Sequence, residues 1–402
     1  MRHDAHANHS QSPDHVRDAA VARGEKRDPQ RASVDTDVGE HRRHPKHKAR
    51  GPLTVTVAQL SDFDELIDVR SESEFADDHI PGAINCPVLD NSERALVGTV
   101  YKQSSSFDAK RIGASLVAAN IARHLQSRFN HRPRTWRPLV YCWRGGGRSD
   151  ALAHVLSQVG WKVARLDGGY KAYRRAVVSD LTTLPRAFDW RVLCGLTGTG
   201  KSRLLKALEA EGAQVLDLER IAAHRGSVLG NMPDEPQPTQ KMFDSLVWGA
   251  LRGFDPKRPV FVEGESRRIG RIRVPEALID SMWASRCVVL DAPVDVRVQL
   301  LKEEYAHYIS EPQALALQLD CLTVLHGKDT IQRWQQLAFR SEWDTFVEEL
   351  LLRHYDPAYL RSTLKHYPAL ERAPHHTLTD STPAAFEHIA RIVFDDSAER
   401  TG

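Results

Sequence analysis

The sequence predicts an α/β chain made of two parallel-sheet units in tandem, followed by a helical C-terminal region. Three observations predict it. Apolar strand-like runs alternate with helical patterns from Leu53 to about residue 178, and again from Trp190 to about residue 300. In each half, one strand runs straight into a glycine-rich loop and then a helix. These loops are Cys142-Trp143-Arg144-Gly145-Gly146-Gly147-Arg148 in the first half and Gly195-Leu196-Thr197-Gly198-Thr199-Gly200-Lys201-Ser202 in the second. Beyond about residue 296 the apolar spacing turns helical, as over 312–325, 342–354 and 384–394. The predicted organisation is a tail over residues 1–50, a first domain over 53–178, a linker over 179–189, a second domain over 190–300 and a helical region over 301–402.

The chain has 402 residues, long enough for two or three domains. Residues 1–50 carry 11 Lys/Arg against 8 Asp/Glu and almost no large apolar side chain. Such a segment buries too little surface to offset its ordering entropy, so it reads as a disordered tail, with His41, His44 and His47 solvated. The rest is close to neutral, so any nucleic-acid site would be a local patch. No apolar run approaches the ~20 residues of a membrane span. The five cysteines show no zinc-ligand spacing and no disulfide framework. A cytoplasmic protein without a membrane partner is expected.

In the first half, Leu66 to Arg70 reads as a strand. A helix start with Glu74-Phe75 follows, and then His79-Ile80-Pro81-Gly82-Ala83-Ile84-Asn85. Pro138 to Tyr141 is a buried strand ending at Cys142, and Ala151 to Val159 is a helix. Backbone N–H groups of the intervening loop can converge on one point, where the helix dipole adds positive potential. Arg144 and Arg148 add full charges. A thiol there ionises readily, and the thiolate is the nucleophile. Val163 to Tyr170 is a strand and turn through Gly168-Gly169. With Asp78 standing where glycine is usual, the order of these segments over 53–178 resembles rhodanese domains. That resemblance implies a chalcogen adduct on Cys142, cradled by residues 143–148.

In the second half, G-x-x-x-x-G-K-S between a strand and a helix is the phosphate-loop signature. Gly195, Thr197, Gly198, Thr199 and Gly200 let backbone N–H groups wrap a phosphate. Lys201 reaches its terminal oxygens, and Ser202 can hold Mg²⁺. Two apolar strands then close on acids, at Asp217-Leu218-Glu219 and at Glu263-Gly264-Glu265. Glu263 is the first candidate for a metal or water-positioning carboxylate, and Asp217 the second. His224 and Arg225 are candidates to face the phosphate. Arg267, Arg268, Arg271 and Arg273 form the densest basic cluster outside the tail, a candidate for RNA or diphosphate contact.

A rhodanese-like parallel-sheet domain followed by a P-loop NTPase-like α/β domain with a helical C-terminal region resembles the bacterial tRNA 2-selenouridine synthase family. The residues that carry the resemblance are 142–149, 195–202, Asp217 to Glu219, His224 to Ser227 and Glu263 to Ser266. It implies a tRNA-modifying transferase acting on 2-thiouridine at the wobble position. Sulfur would be replaced by selenium from selenophosphate, through an S-geranylated intermediate made from geranyl diphosphate. Cys142 would be the nucleophile and the phosphate loop would hold a diphosphate. Both donors would be co-substrates, with no tightly bound cofactor. Two other classes fit the residues, a persulfide sulfurtransferase fused to an ATPase or kinase-like domain and a non-catalytic binding protein. The sequence leaves the oligomeric state open.

Overall fold

A computed structural model of the chain describes residues 52–232 and 235–399. The tail predicted over residues 1–50 lies outside the described residues. The first sheet is built from β1 (Leu53–Val55), β2 (Glu65–Asp68), β3 (Ile84–Asn85), β4 (Pro138–Tyr141) and β5 (Ala164–Leu166). All its pairings are parallel, in the order β1-β5-β4-β2-β3. Its helices are α1 (Glu72–Asp77), α2 (Asn91–Gln103), α3 (Ser106–His124), α4 (Gly147–Val159) and α5 (Gly169–Asp180). Strand β4 is central and buried on both faces, which is why Pro138 to Tyr141 reads as an unbroken apolar run. Cys142 is the next residue, at the carboxyl end of the sheet.

The second sheet begins with β6 (Trp190–Cys194), β7 (Gln214–Leu216) and β8 (Val260–Glu263). A hairpin, β9 (Arg268–Ile269) with β10 (Ile272–Arg273), precedes β11 (Arg286–Asp291), and β12 (His375–Thr377) comes last. The sheet order is β12-β11-β6-β8-β7, again all parallel. Its helices are α6 (Lys201–Ala210), α7 (Leu218–Ala222), α8 (Gln240–Gly253), α9 (Glu276–Trp283) and α10 (Val294–Glu304). Strand β6 is flanked on both sides, so the phosphate loop leaves the middle of the sheet at its carboxyl end, where ligands of open parallel sheets bind.

The helical region holds α11 (Ala306–Ser310), α12 (Pro312–Leu319), α13 (Thr323–His326), α14 (Lys328–Phe339), α15 (Trp343–Leu350) and α16 (Asp356–His366). The chain does not stay helical. His375–Thr377 returns as the edge strand β12, and α17 (Pro383–Glu399) packs Phe386, Ile389 and Val393 against Leu204 and Leu208 of α6. Residues 375–399 therefore complete the phosphate-loop domain. A three-residue edge strand reading His-His-Thr has no apolar alternation, so it gives no sequence signal.

The segment expected as a linker over 179–189 is anchored to the core by three of its side chains. Leu181, Pro185 and Phe188 are enclosed, and Trp190 Nε1 donates to the Pro185 carbonyl at 2.8 Å. One apolar cluster runs from Leu139 and Leu166 through Leu181 and Phe188 to Val192 and Val262, so the two sheets share a core. Helices α5 and α8 seal the junction. Tyr173 meets Trp248 edge-on at 5.4 Å, Trp248 Nε1 donates to Asp180 at 2.8 Å, and Arg174 pairs with Asp244 at 2.5 Å. No helix among the described residues is long and apolar enough to cross a membrane.

Candidate functional site

Cys142 sits at the foot of a loop that folds back over it. Its Sγ accepts the Gly146 N–H at 3.3 Å and lies 3.2 Å from the Ser149 hydroxyl. The helix starts earlier than the sequence suggests, at Gly147, so Gly147, Arg148 and Ser149 form its first turn. Burial pushes the thiol up. The Ser149 hydroxyl and backbone groups of Gly146, Ser149 and Arg144 outweigh it, and the thiol ends below its ordinary value. The expected second charge does not act on it directly, because Arg148 is bound to Glu74 at 2.7 Å. Hydrogen bonds do the work assigned to arginine. All five cysteines are free thiols.

The flanking motifs hold this loop in place. Asp68 and Arg70 form a buried pair at 2.6 Å, and Arg70 also donates to the Asp78 carbonyl at 2.6 Å. The Arg70 guanidinium stacks on the Tyr170 ring at 3.9 Å, and Tyr170 in turn stacks on the half-exposed Trp143. Asp78, the departure from the usual glycine, accepts the Tyr170 hydroxyl at 2.7 Å. The closing motif grips the loop from below. Tyr170 N–H donates to the Cys142 carbonyl at 2.8 Å and Lys171 N–H to the Trp143 carbonyl at 3.0 Å. Gly169 has φ +57°, and a Cβ there would lie 2.2 Å from the Cys142 carbonyl oxygen. Only glycine permits that approach. Gly169→Ala is therefore expected to cost about 1–3 kcal/mol and to displace the loop. Thermal melts and the rate of Cys142 alkylation by iodoacetamide check this, with melting lowered and alkylation slowed.

The phosphate loop is fixed from both ends of the second domain. Gly198 and Gly200 adopt φ near +80°, and a Cβ on Gly200 would strike the Phe386 ring of α17 at 2.6 Å. Arg297 of α10 donates to the Thr197 carbonyl at 2.9 Å and pairs with Asp356 at 2.6 Å. Thr199 donates to the Leu196 carbonyl at 3.0 Å. Lys201 Nζ reaches the Gly195 carbonyl at 3.0 Å and lies 3.9 Å from Glu263. Burial disfavours its charge, but Glu263 and the neighbouring acids outweigh that and hold it protonated.

Glu219, Glu263 and Glu265 converge opposite the lysine, with ligand oxygens within 4.8 Å of one another. The Ser202 hydroxyl is 3.3 Å from Glu263 and 3.4 Å from Glu219. An all-oxygen set of this kind suits a hard divalent cation such as Mg²⁺. Burial pushes Glu263 up to about 7, opposed by Lys201, and pushes Glu265 up to about 8, helped by Glu263. Raised carboxyl groups favour the folded state only while protonated. Stability is then lost as pH rises from about 4.5 through about 8. In Mg²⁺-free buffer Glu263→Gln should melt roughly 2–4 °C above the parent at pH 8, and that advantage should vanish at pH 5. Melting curves across this range check it.

Not every predicted residue joins this cluster. Asp217 caps α7, accepting the Arg220 N–H at 2.8 Å, and His224 Nδ1 accepts the Gly226 N–H at 3.1 Å. Both shape turns and neither lines the cleft. Arg225 does line it, stacked over Tyr305 at 5.1 Å, as does Arg267, stacked over Trp283 at 4.7 Å. The arginine cluster is split, with Arg268 in the cleft and Arg271 bound to the Gln237 carbonyl at 2.5 Å. The cleft, about 700 Å³, also recruits residues the sequence gave no reason to select. Tyr359 accepts the Gly195 N–H at 2.6 Å, and Tyr305, Tyr355 and Tyr367 add an aromatic wall. No motif marks these side chains, which come from far along the chain and are assembled only by the fold.

Comparisons with known proteins agree with this architecture. A rhodanese-like domain family matches residues 55–176, and a family described as tRNA 2-selenouridine synthase AAA domain matches residues 188–320. A tRNA 2-selenouridine synthase of Hydrogenovibrio crunogenus is 36% identical over 75% of this chain and 92% of its own length. One from Aeromonas salmonicida is 31% identical over 77% of this chain and 90% of its own. A relative of the same name from Nitrosomonas europaea is 35% identical over 60% of this chain, and the match spans 63% of that relative.

Proposed function

Because the chain belongs to the tRNA 2-selenouridine synthase family, we propose that it replaces the sulfur of 2-thiouridine at the tRNA wobble position with selenium. Geranyl diphosphate and selenophosphate are its co-substrates, and it works in the cytoplasm. In the first step the thiocarbonyl sulfur attacks C1 of the geranyl group. An S–C bond forms, a C–O bond breaks, and diphosphate leaves with the electron pair. In the second step the selenium of selenophosphate attacks C2 of the base and expels geranyl thiolate, which takes up a proton, and water then cleaves the P–Se bond and releases phosphate. Neither step changes the oxidation state of the base.

Each step draws on one of the two centres. The phosphate loop and Lys201 hold the diphosphate and meet the charge that develops on it as the C–O bond breaks. Bound Mg²⁺ would be held by Ser202, Glu219 and Glu263 and would offset that same charge. Cys142 handles the selenium. Arg225, Arg267 and Arg268 offer charge for the RNA or the diphosphate at the rim of the cleft. The observation that supports this reading most is the pairing, within one packed unit, of a thiol held below its ordinary value with an intact phosphate loop.

The carboxylates around Ser202 also suit nucleotide hydrolysis, which keeps the persulfide transferase with an ATPase domain as the rival. Nucleoside mass spectrometry after incubation with thiolated tRNA and geranyl diphosphate, beside an ATP hydrolysis assay, separates them. S-geranyl-2-thiouridine is the expected product. Unchanged 2-thiouridine together with ATP turnover would favour the rival.

A further inference from the structure

The Cys142 loop carries one large ring that its own packing does not need. Trp143 directly follows the nucleophile, and the loop is held there by backbone, through the Lys171 N–H on the Trp143 carbonyl at 3.0 Å. The tryptophan is 40% exposed, beside a cysteine that is 4% exposed. A scattered surface tryptophan is free to turn, but this one is braced. Its indole stacks on the Tyr170 ring, with centroids 5.2 Å apart and planes 28° from parallel. Tyr170 is fixed in turn by the Arg70 guanidinium at 3.9 Å and by its own hydroxyl, which donates to Asp78 at 2.7 Å. An aromatic plane held this way has little rotamer freedom left to lose when a second plane settles on it.

Positive charge surrounds that plane. Arg144, Lys171 and Arg175 are exposed, and among the described residues none of the three pairs with a carboxylate. Arg175 lies beside Gly168, its Nη2 3.8 Å from where a Cβ would stand, and Gly168 abuts Gly145 of the loop. Carboxylates close by are engaged elsewhere, Glu74 by Arg148 at 2.7 Å and Asp78 by Tyr170. A stiff aromatic plane among unpaired cations suits single-stranded RNA, because the ring stacks an unpaired base and the cations follow its phosphates. We propose that Trp143 is a positioning residue for the anticodon loop. An unpaired base of that loop stacks on the indole, Arg144, Lys171 and Arg175 take the neighbouring phosphates, and the wobble nucleotide is thereby brought to Cys142. The proposal rests on reading the substrate as tRNA thiolated at the wobble position, and it adds the surface of the first domain on which the anticodon loop lies.

Fluorescence anisotropy of a labelled anticodon stem-loop carrying 2-thiouridine at the wobble position, titrated with the full chain, tests it. Trp143→Leu keeps apolar bulk but removes the ring, and should weaken binding about 10–100-fold. Trp143→Phe keeps a ring against Tyr170 and should stay within about threefold of the wild-type chain. Lys171→Ala should weaken binding and lower the slope of log affinity against log salt by about 1. Alkylation of Cys142 by iodoacetamide should proceed at the wild-type rate in both Trp143 variants, which separates a lost stack from a displaced loop. Wild-type affinity in Trp143→Leu would overturn the proposal, as would equal losses in the leucine and phenylalanine variants. A loss in Trp143→Leu accompanied by altered alkylation would confine the ring to a structural role and overturn it too. Failure of the wild-type chain to bind the stem-loop would overturn the tRNA reading and the proposal together.

Discussion

Cys142→Ser is expected to abolish selenouridine formation, by about three orders of magnitude or more, while S-geranylation of thiolated tRNA continues. The exchange changes one atom in a buried site, so the fold should hold. What is lost is ionisation. The loop holds the thiol below its ordinary value, so more of it is thiolate than in a free cysteine, and a serine hydroxyl in the same place stays protonated. The geranylated nucleoside should therefore accumulate in the variant, visible by mass spectrometry. The pH profile of the parent carries the same argument. Because the thiol lies below its ordinary value, the rate should rise with pH and level off before pH 9. Ser149→Ala removes the hydroxyl 3.2 Å from Sγ and should move that rising limb to higher pH. Selenation by Cys142→Ser at more than about a tenth of the parent rate would contradict the role given to the thiol.

Lys201→Ala produces the complementary defect. Geranylation should fall about 10²–10³-fold, the usual loss when one preorganised group facing a developing charge is removed. Selenation of tRNA supplied already geranylated should survive. Lys201 is suited to this task because Glu263 and the neighbouring acids hold it protonated despite its burial, and the loop carbonyls of Gly195 and Leu196 aim it at the loop. Single-turnover assays of each step on the two variants give the comparison. Intact geranylation in Lys201→Ala would mean that the loop holds something other than the prenyl donor.

Strong local rules made part of this molecule legible in the sequence. A buried central strand, a glycine loop and a helix start occur in order at Cys142 and again at Ser202, and both appear where the sequence places them. Glu263 and Glu219 were found because an acid closing an apolar strand, or following one closely, stands out. Asp217 has the same pattern, but its carboxylate is consumed by the α7 cap, which a sequence read as strand alone does not reveal. Arg148 was assigned to the thiol by proximity in the chain, whereas Glu74, 74 residues earlier, holds it. The tyrosine wall comes from Tyr359 in α16 and from Tyr305, Tyr355 and Tyr367, which lie beside the ends of α10 and α16 and carry no motif. They meet the phosphate loop through Arg297 of α10, which holds both the Thr197 carbonyl and Asp356, and through Tyr359, which accepts the Gly195 N–H.

The central claim is that one chain joins a prenylating diphosphate site to a selenium-handling thiol. Nucleoside mass spectrometry of thiolated tRNA, incubated with this protein, geranyl diphosphate and selenophosphate, tests it most directly. 2-Selenouridine is the expected product, with S-geranyl-2-thiouridine appearing first and decaying as the product grows. No 2-selenouridine, under conditions where an active control enzyme converts the same substrates, would contradict it.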